Sequence, residues 1–121
     1  MTRDEVIRVA EVYLYEGLVR QDVEAVRAAL APECWRTEQG KNTGESGDAI
    51  AEMFKQPIFD IITGVRAPRW FVEGEQAIVF YELELQDGKL PNVLIAERFR
   101  VADGRIHEIE AIFHAQQAES S

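Results

Sequence analysis

The chain predicts an α+β domain in which a curved antiparallel sheet wraps around N-terminal helices and leaves a conical pocket between the two layers. Two observations carry that expectation. Apolar residues recur at helical spacing through the N-terminal part of the chain, whereas the C-terminal half alternates between apolar and polar in long runs. Residues that favour turns divide those runs, so the strands follow one another as a meander. A strongly bent sheet with helices across its open side leaves a cavity whose wall is the natural place for chemistry.

Each element has a local reason. Thr2 is placed to cap a helix, with Glu5 completing a capping box, and Val6, Ile7, Ala10, Tyr13, Leu14, Gly17 and Leu18 form its apolar stripe to about Arg20. Gln21-Asp22 breaks the helix. Asp22 caps a second one, with Val23, Val26, Ala29 and Leu30 as its stripe, ending near Ala31-Pro32. Cys34 to Glu38 reads as a short strand, and Gln39 to Gly47 as a loop. Ser46 or Asp48 caps a third helix from Ala49 to about Lys55, and Ile58 to Ile62 is an apolar run of open state. Strands follow at about Val65 to Val72 and Gln76 to Gln86, with a Glu73-Gly74-Glu75 turn between them and an Asp87-Gly88 turn after.

The stretch from Asn92 to Phe113 closes the sheet as two long strands joined at Ala102-Asp103-Gly104. Val93, Ile95, Glu97, Phe99 and Val101 share one face of the first strand. In the second, Ile106, Glu108, Glu110 and Ile112 oppose His107, Ile109, Ala111 and Phe113. Glu97 breaks the pattern, because a carboxylate stands among residues expected to be buried.

With a formal net charge of −9, binding to nucleic acid or to an anionic membrane is not expected, since like charges repel. Cys34 is the one cysteine, which excludes an internal disulfide and a cysteine metal cluster. No His/Asp/Glu set has metal-site spacing, so neither a metal nor a cofactor is expected. There is no apolar leader and no transmembrane run, which makes a cytoplasmic protein the expectation.

The helix pair ending at Gln21-Asp22-Val23-Glu24-Ala25-Val26, the segment Leu30-Ala31-Pro32-Glu33, the Gly44 to Phe54 stretch and the closing phrases Glu97 to Val101 and Ile109 to Phe113 resemble the nuclear transport factor 2-like superfamily, in particular its ketosteroid isomerase-like and SnoaL-like polyketide cyclase-like branch. The resemblance implies a cystatin-like α+β barrel over residues 1–115, followed by a C-terminal tail at 116–121, and a homodimer. A homodimer is also suggested by Ile78, Phe80, Leu94 and Ile112, which would otherwise expose an apolar sheet face. It further implies a carboxylate base at the end of the first strand, where Glu38 stands, and a protonated acid of the oxyanion hole at Glu97. The tyrosine of that oxyanion hole corresponds to Leu14, flanked by Tyr13 and Tyr15. The acid that epoxide hydrolases of the superfamily carry on the last strand corresponds to Ala111, which argues against that reaction.

Glu38 and Glu97 as unlike carboxylates suit proton transfer beside a carbonyl, one ionised as base and the other kept protonated by burial. The blander alternatives are a solvated loop-edge Glu38 and a Glu97 ion-paired with Arg36 or Arg98. Along the first strand, Arg36 shares parity with Glu38 while Trp35 opposes both. If Glu38 points inward, a regular strand turns Arg36 inward and Trp35 outward; a bulge would resolve that oddity, or Trp35 faces the pocket and Glu38 does not. His107 is a candidate proton shuttle. The further lining candidates are Tyr13, Leu14, Tyr15, Trp35, Arg36, Phe54, Phe99, Ile109 and Ala111. The expected activity is cofactor-free acid-base chemistry, of isomerase, cyclase or lyase type, on a small apolar carbonyl compound. A noncatalytic ligand-binding or dimerisation module of the same fold is the alternative.

Overall fold

In the computed structural model, which describes residues 1–86 and 92–115, six strands form one open sheet in the order β2-β1-β6-β5-β4-β3. The strands are β1 (Leu30–Glu38), β2 (Lys41–Gly44), β3 (Ile62–Glu73), β4 (Gln76–Leu85), β5 (Val93–Ala102) and β6 (Arg105–Ala115). All neighbours are antiparallel except β1 and β6, which run parallel, so the sheet is mixed. The architecture is the expected α+β cone. The turn read at Asp87-Gly88 and the tail from 116 onward lie outside the described residues.

The first helix begins as α1 (Arg3–Glu11) with the anticipated capping box: Glu5 N donates to Thr2 Oγ1 at 3.2 Å and Thr2 N donates to Glu5 Oε1 at 2.8 Å. It continues over Val12–Val19 as a π-helix, and Arg20 N donates to Tyr15 O five residues back. Tyr13, Leu14, Gly17 and Leu18 are buried on that segment. Helix α2 (Val23–Ala29) starts at Asp22, whose carboxylate accepts from Ala25 N at 3.1 Å. Ser46 caps α3 (Gly47–Met53) by accepting from Ala49 N at 3.1 Å. The run of open state becomes a 3₁₀ turn, Pro57–Ile61, that leads straight into β3.

Around the first hairpin the elements differ from the sequence reading. The first strand starts at Leu30 rather than Cys34, directly out of α2, with its register to β6 interrupted between Leu30 and Trp35 around Pro32. Proline lacks the N–H that a regular ladder needs there. The segment read as a loop after Glu38 contains β2, paired to β1 through a tight turn in which Gln39 and Gly40 have φ of 52° and 81°. A turn with two left-handed residues matches the twist of a hairpin, so even the polar sequence Lys-Asn-Thr-Gly pairs.

Irregularities in the ladders bend the sheet into a cone. Ala67 adopts φ of 50° where the β3–β4 register breaks between Arg66 and Arg69. His107 is an extra residue in the β5–β6 pairing, because Val101 faces Ile106 while Arg100 faces Glu108. Extra residues of this kind raise local twist and curvature. The concave side buries Tyr13, Phe54 and Phe99, with ring centroids 5.2 Å apart for Tyr13–Phe54 and 5.5 Å for Tyr13–Phe99 at edge-to-face angles. The convex side exposes Phe71, Ile78, Phe80, Leu94 and Ile112.

Helix α3 rests on β1 at a glycine. A methyl group on Gly47 would lie 2.6 Å from the Ala31 carbonyl oxygen and 3.3 Å from Leu30 Cβ, and backbone cannot swing aside as a side chain can. Gly47→Ala is therefore expected to cost about 1–3 kcal/mol, the usual range for overpacking. The check is urea denaturation, where the midpoint should fall with an unchanged m-value.

Candidate active site

The cone opens into a cavity with two lobes. The wider one, about 520 Å³, lies between the end of α3, the 3₁₀ turn and the ends of β3, β4 and β5, and is walled largely by Met53, Ile58, Phe59, Leu83, Leu85 and Val93. The inner one, about 180 Å³, is bounded by Leu18, Tyr81, Ile95, Glu97, Ala111 and Phe113. Arg36, Glu38, Phe59, Leu83 and Val93 line both lobes, which makes them parts of one site.

β1 alternates regularly over its last residues, so Cys34 and Arg36 are buried while Trp35 is 36 % exposed on the convex face. The side-chain parity of the strand is thereby settled in favour of Arg36 and Glu38. Trp35, the other candidate, points away from the cavity. Its exposure follows from strand geometry and puts it on the face that also carries Ile112.

Arg36 is 7 % exposed and is held from three sides. Its Nε donates to the Tyr13 hydroxyl at 2.8 Å, and its Nη1 donates to Glu38 Oε1 at 2.8 Å and to Thr43 Oγ1 at 2.7 Å. Thr43 is available because the Gln39-Gly40 turn folds β2 back along β1. Burial opposes the charge on Arg36, but Tyr13, Glu97 and Glu38 around it hold its pKa above the ordinary guanidinium value. The side chain of Glu38 is 35 % exposed, at the solvent side of the pair.

Glu97 is 2 % exposed and lines the inner lobe. Among the described residues its hydrogen-bond partner is the Tyr81 hydroxyl, which donates to Oε1, and it forms no ion pair. Arg98, the neighbour in sequence, points outward, donating to Glu110 at 3.1 Å, Glu108 at 3.2 Å and Gln76 at 2.7 Å. Burial pushes the Glu97 pKa up, the charge on Arg36 and the Tyr81 bond pull it back, and Glu38 adds to the rise; the net direction is upward. Burial, followed by the proximity of Glu97, raises the Tyr81 pKa as well, so the tyrosine stays protonated.

Of the other residues singled out from sequence, Ala111 lines the inner lobe. Leu14, Phe54, Phe99 and Ile109 are closed core. Tyr13 is also core, although its hydroxyl reaches the site through Arg36. Tyr15 is half-buried at the margin of the core and lines neither lobe. His107 does not share the inward face with Ile109 and Ala111, because the extra residue in β6 resets the alternation there. Its Nδ1 lies 3.2 Å from Glu33 Oε1 and its Nε2 3.1 Å from Ala102 O, away from the cavity. Sequence reasoning missed Tyr81 and Thr43. Parity alone could have placed Tyr81, since it alternates with Ala77, Val79 and Leu83 as the polar member of a buried stripe.

Among the described residues, no group of three or more His, Cys, Asp or Glu could hold a metal ion, and no helix is long and apolar enough to cross a membrane.

A family model described as Domain of unknown function (DUF8021) matches residues 1–113. No curated protein matches the sequence. Among solved structures, an LEH-like epoxide hydrolase of M. tuberculosis is similar at a TM-score of 0.74 and 24 % identity, over 92 % of this chain and 84 % of that one. A protein of Kribbella flavida DSM 17836, provisionally described as a ketosteroid isomerase, gives 0.76 at 15 % identity over 98 % and 84 %. An NTF2-like protein of unknown function from Cytophaga hutchinsonii ATCC 33406 gives 0.68 at 15 % identity over 94 % and 90 %. The chain has the nuclear transport factor 2-like fold, and at these identities the likeness speaks to the fold alone.

A raised Glu97 pKa ties stability to pH. Between the unfolded and folded pKa values the native state binds more protons than the unfolded state, so stability is full below the unfolded value and falls as pH rises through the folded one. Glu97→Gln should remove that decline. Above the window the variant should then be the more stable protein, by about 1.4 kcal/mol for each factor of ten by which folding tightens the hold of Glu97 on its proton. Urea midpoints of both proteins across an acid-to-neutral pH series provide the test, and parallel curves would contradict it.

Proposed function

We propose that this chain, which belongs to the Domain of unknown function (DUF8021) family, is a small cofactor-free enzyme that moves protons on a small apolar carbonyl compound held in the cone. One observation carries the reading: a buried carboxyl, Glu97, with no ion-pair partner among the described residues, lines the same inner lobe as the partly exposed Glu38. Two carboxyl groups in unlike surroundings on one cavity suit acid-base chemistry at a carbonyl.

Glu38 takes a proton from the carbon beside the substrate carbonyl, and the electron pair of that bond moves onto the carbonyl oxygen. Glu97, in its acid form, donates a hydrogen bond to the developing oxyanion from the floor of the lobe, while Tyr81 holds its other oxygen. Returning the proton to a different carbon gives isomerisation. Attack of the enolate carbon on a second carbonyl gives cyclisation, and expulsion of a β-substituent gives elimination. Arg36, oriented by Tyr13 and Thr43, fixes the carboxylate of Glu38. The Kribbella flavida and M. tuberculosis proteins of the same fold bear the names of enzymes, which is consistent with a catalytic cone.

The second reading is a noncatalytic module that binds a ligand or forms a dimer, and the exposed Phe71, Phe80, Leu94 and Ile112 on the convex face are the surface such a dimer would use. A second copy covering that face is compatible with either reading, because the cavity lies on the opposite side of the sheet. A cytoplasmic location belongs to the same proposal.

Exchange of α-protons into D₂O, followed by proton NMR over a panel of small ketones and enones, separates the two. The native protein should accelerate exchange, and Glu38→Gln should slow it by about 10²–10⁴-fold. Glu97→Gln should also slow exchange, since an amide is a weaker donor than a carboxylic acid toward an oxyanion. No acceleration by the native protein across the panel would leave the noncatalytic module as the function.

A further inference from the structure

We infer that the cavity takes a ligand with one carboxylate head and an apolar body, and that Arg36 is the residue that reads the head. This deepens the proposed function by naming a substrate class, and it rests on that reading only in treating the cone as a ligand site.

Arg36 is more than nine-tenths buried and lines both lobes. It carries five N–H donors in a planar fork. Nε is committed to Tyr13, and Nη1 to Glu38 and Thr43. Nη2 has no acceptor among the described residues. Yet none of their fully buried side-chain nitrogens and oxygens lacks a partner, so Nη2 retains some accessible surface, on a residue that lines both lobes. A permanently charged group with an uncommitted nitrogen thus borders a chamber whose remaining wall is mostly apolar.

A neutral carbonyl would engage such a group weakly. A carboxylate matches the planar fork and supplies the charge, and charge-assisted hydrogen bonds are roughly twice as strong as neutral ones. A phosphate fits less well. It brings about two charges near neutral pH, against the carboxylate of Glu38 and the carboxyl of Glu97 on the same lobe. A single carboxylate is tolerated beside Glu38 because Glu38 occupies Nη1 and remains 35 % exposed, where water screens it. The wider lobe, walled by Ile58, Phe59, Leu83, Leu85 and Val93, provides about 520 Å³ for the apolar body.

The experiment compares three probes of one shape: 4-phenylbutanoate, 4-phenylbutanamide and the neutral ketone 5-phenyl-2-pentanone. Calorimetric titration of the full chain should show the acid bound at least about tenfold more tightly than the amide. Arg36→Met should abolish that preference and Arg36→Lys should retain part of it. Should Arg36→Met fail to fold, the guanidinium ¹⁵N–¹H signals of Arg36 in the native protein decide, since they should move with the acid and stay with the amide. Equal binding of acid and amide, a preference that survives Arg36→Met, or unmoved Arg36 signals would overturn the inference. Ketone binding or exchange that depends on Glu97 without an acid preference would leave the catalytic reading standing and this one refuted. Acid binding through Arg36 without any proton exchange would do the reverse.

Discussion

Enclosing a carboxyl on the inner wall of an apolar cone is the constraint on which the rest of the site depends. Glu97 sits in the ladder between Val79 and Ala111, both buried, and an ionised carboxylate there loses its hydration at a cost of several kcal/mol. Two remedies exist: a cation in contact, or a proton. The adjacent Arg98 is turned outward by strand alternation and directs its donors to Glu108, Glu110 and Gln76. Arg36 is close enough to lower the cost through its field but is hydrogen-bonded to other partners. What remains in contact is the Tyr81 hydroxyl, a donor to either protonation state of the acid. Glu97 can therefore gain or lose a proton without losing its anchor.

The backbone delivers this arrangement through strand parity and three local irregularities. Parity on β1 sends Arg36 and Glu38 to the concave side and leaves Trp35 exposed on the other. The left-handed pair Gln39-Gly40 returns the chain as β2 and brings Thr43 beside Arg36. The break at Ala67 bends β3, and the extra residue at His107 keeps Ile106 in the core while restoring Ile109 and Ala111 to the concave face. Aromatic packing fixes the remaining member, because Tyr13 is wedged edge-on between Phe54 and Phe99 with its hydroxyl aimed at Arg36.

Much of the fold is legible from local rules. The capping box at Thr2 and Glu5, the caps at Asp22 and Ser46, the turn at Asp103-Gly104 and the inward stripe containing Glu97 are short-range patterns, and the structure carries each of them. What escapes depends on register or on conformations foreign to the residue. Strand β2 has almost no apolar signal and hangs on a glutamine in a left-handed conformation. The contact between Tyr81 and Glu97 is diagonal, since Tyr81 pairs with Ile95 and Glu97 with Val79, so it exists only once the β4–β5 register is set. Alternation puts His107 on the wrong face because one inserted residue inverts every parity before it, and a period-two pattern has no memory of such an insertion.

The two polar clusters divide the labour of the cone by their solvent access. Arg36 and Glu38 meet where the side chain of Glu38 still reaches water, whereas Tyr81 and Glu97 close the inner lobe. Buried ionisable groups commonly leave a fold less stable than apolar side chains of similar volume would. A ligand that binds only the folded state returns that free energy in proportion to the logarithm of its concentration over its Kd. A molecule with a carboxylate for Nη2 of Arg36, a carbonyl for Glu97 and an apolar body for the wider lobe is the ligand that would return the most. Because Arg36, Glu38 and Glu97 line one lobe, the proposed recognition and the proposed proton transfer draw on one set of residues.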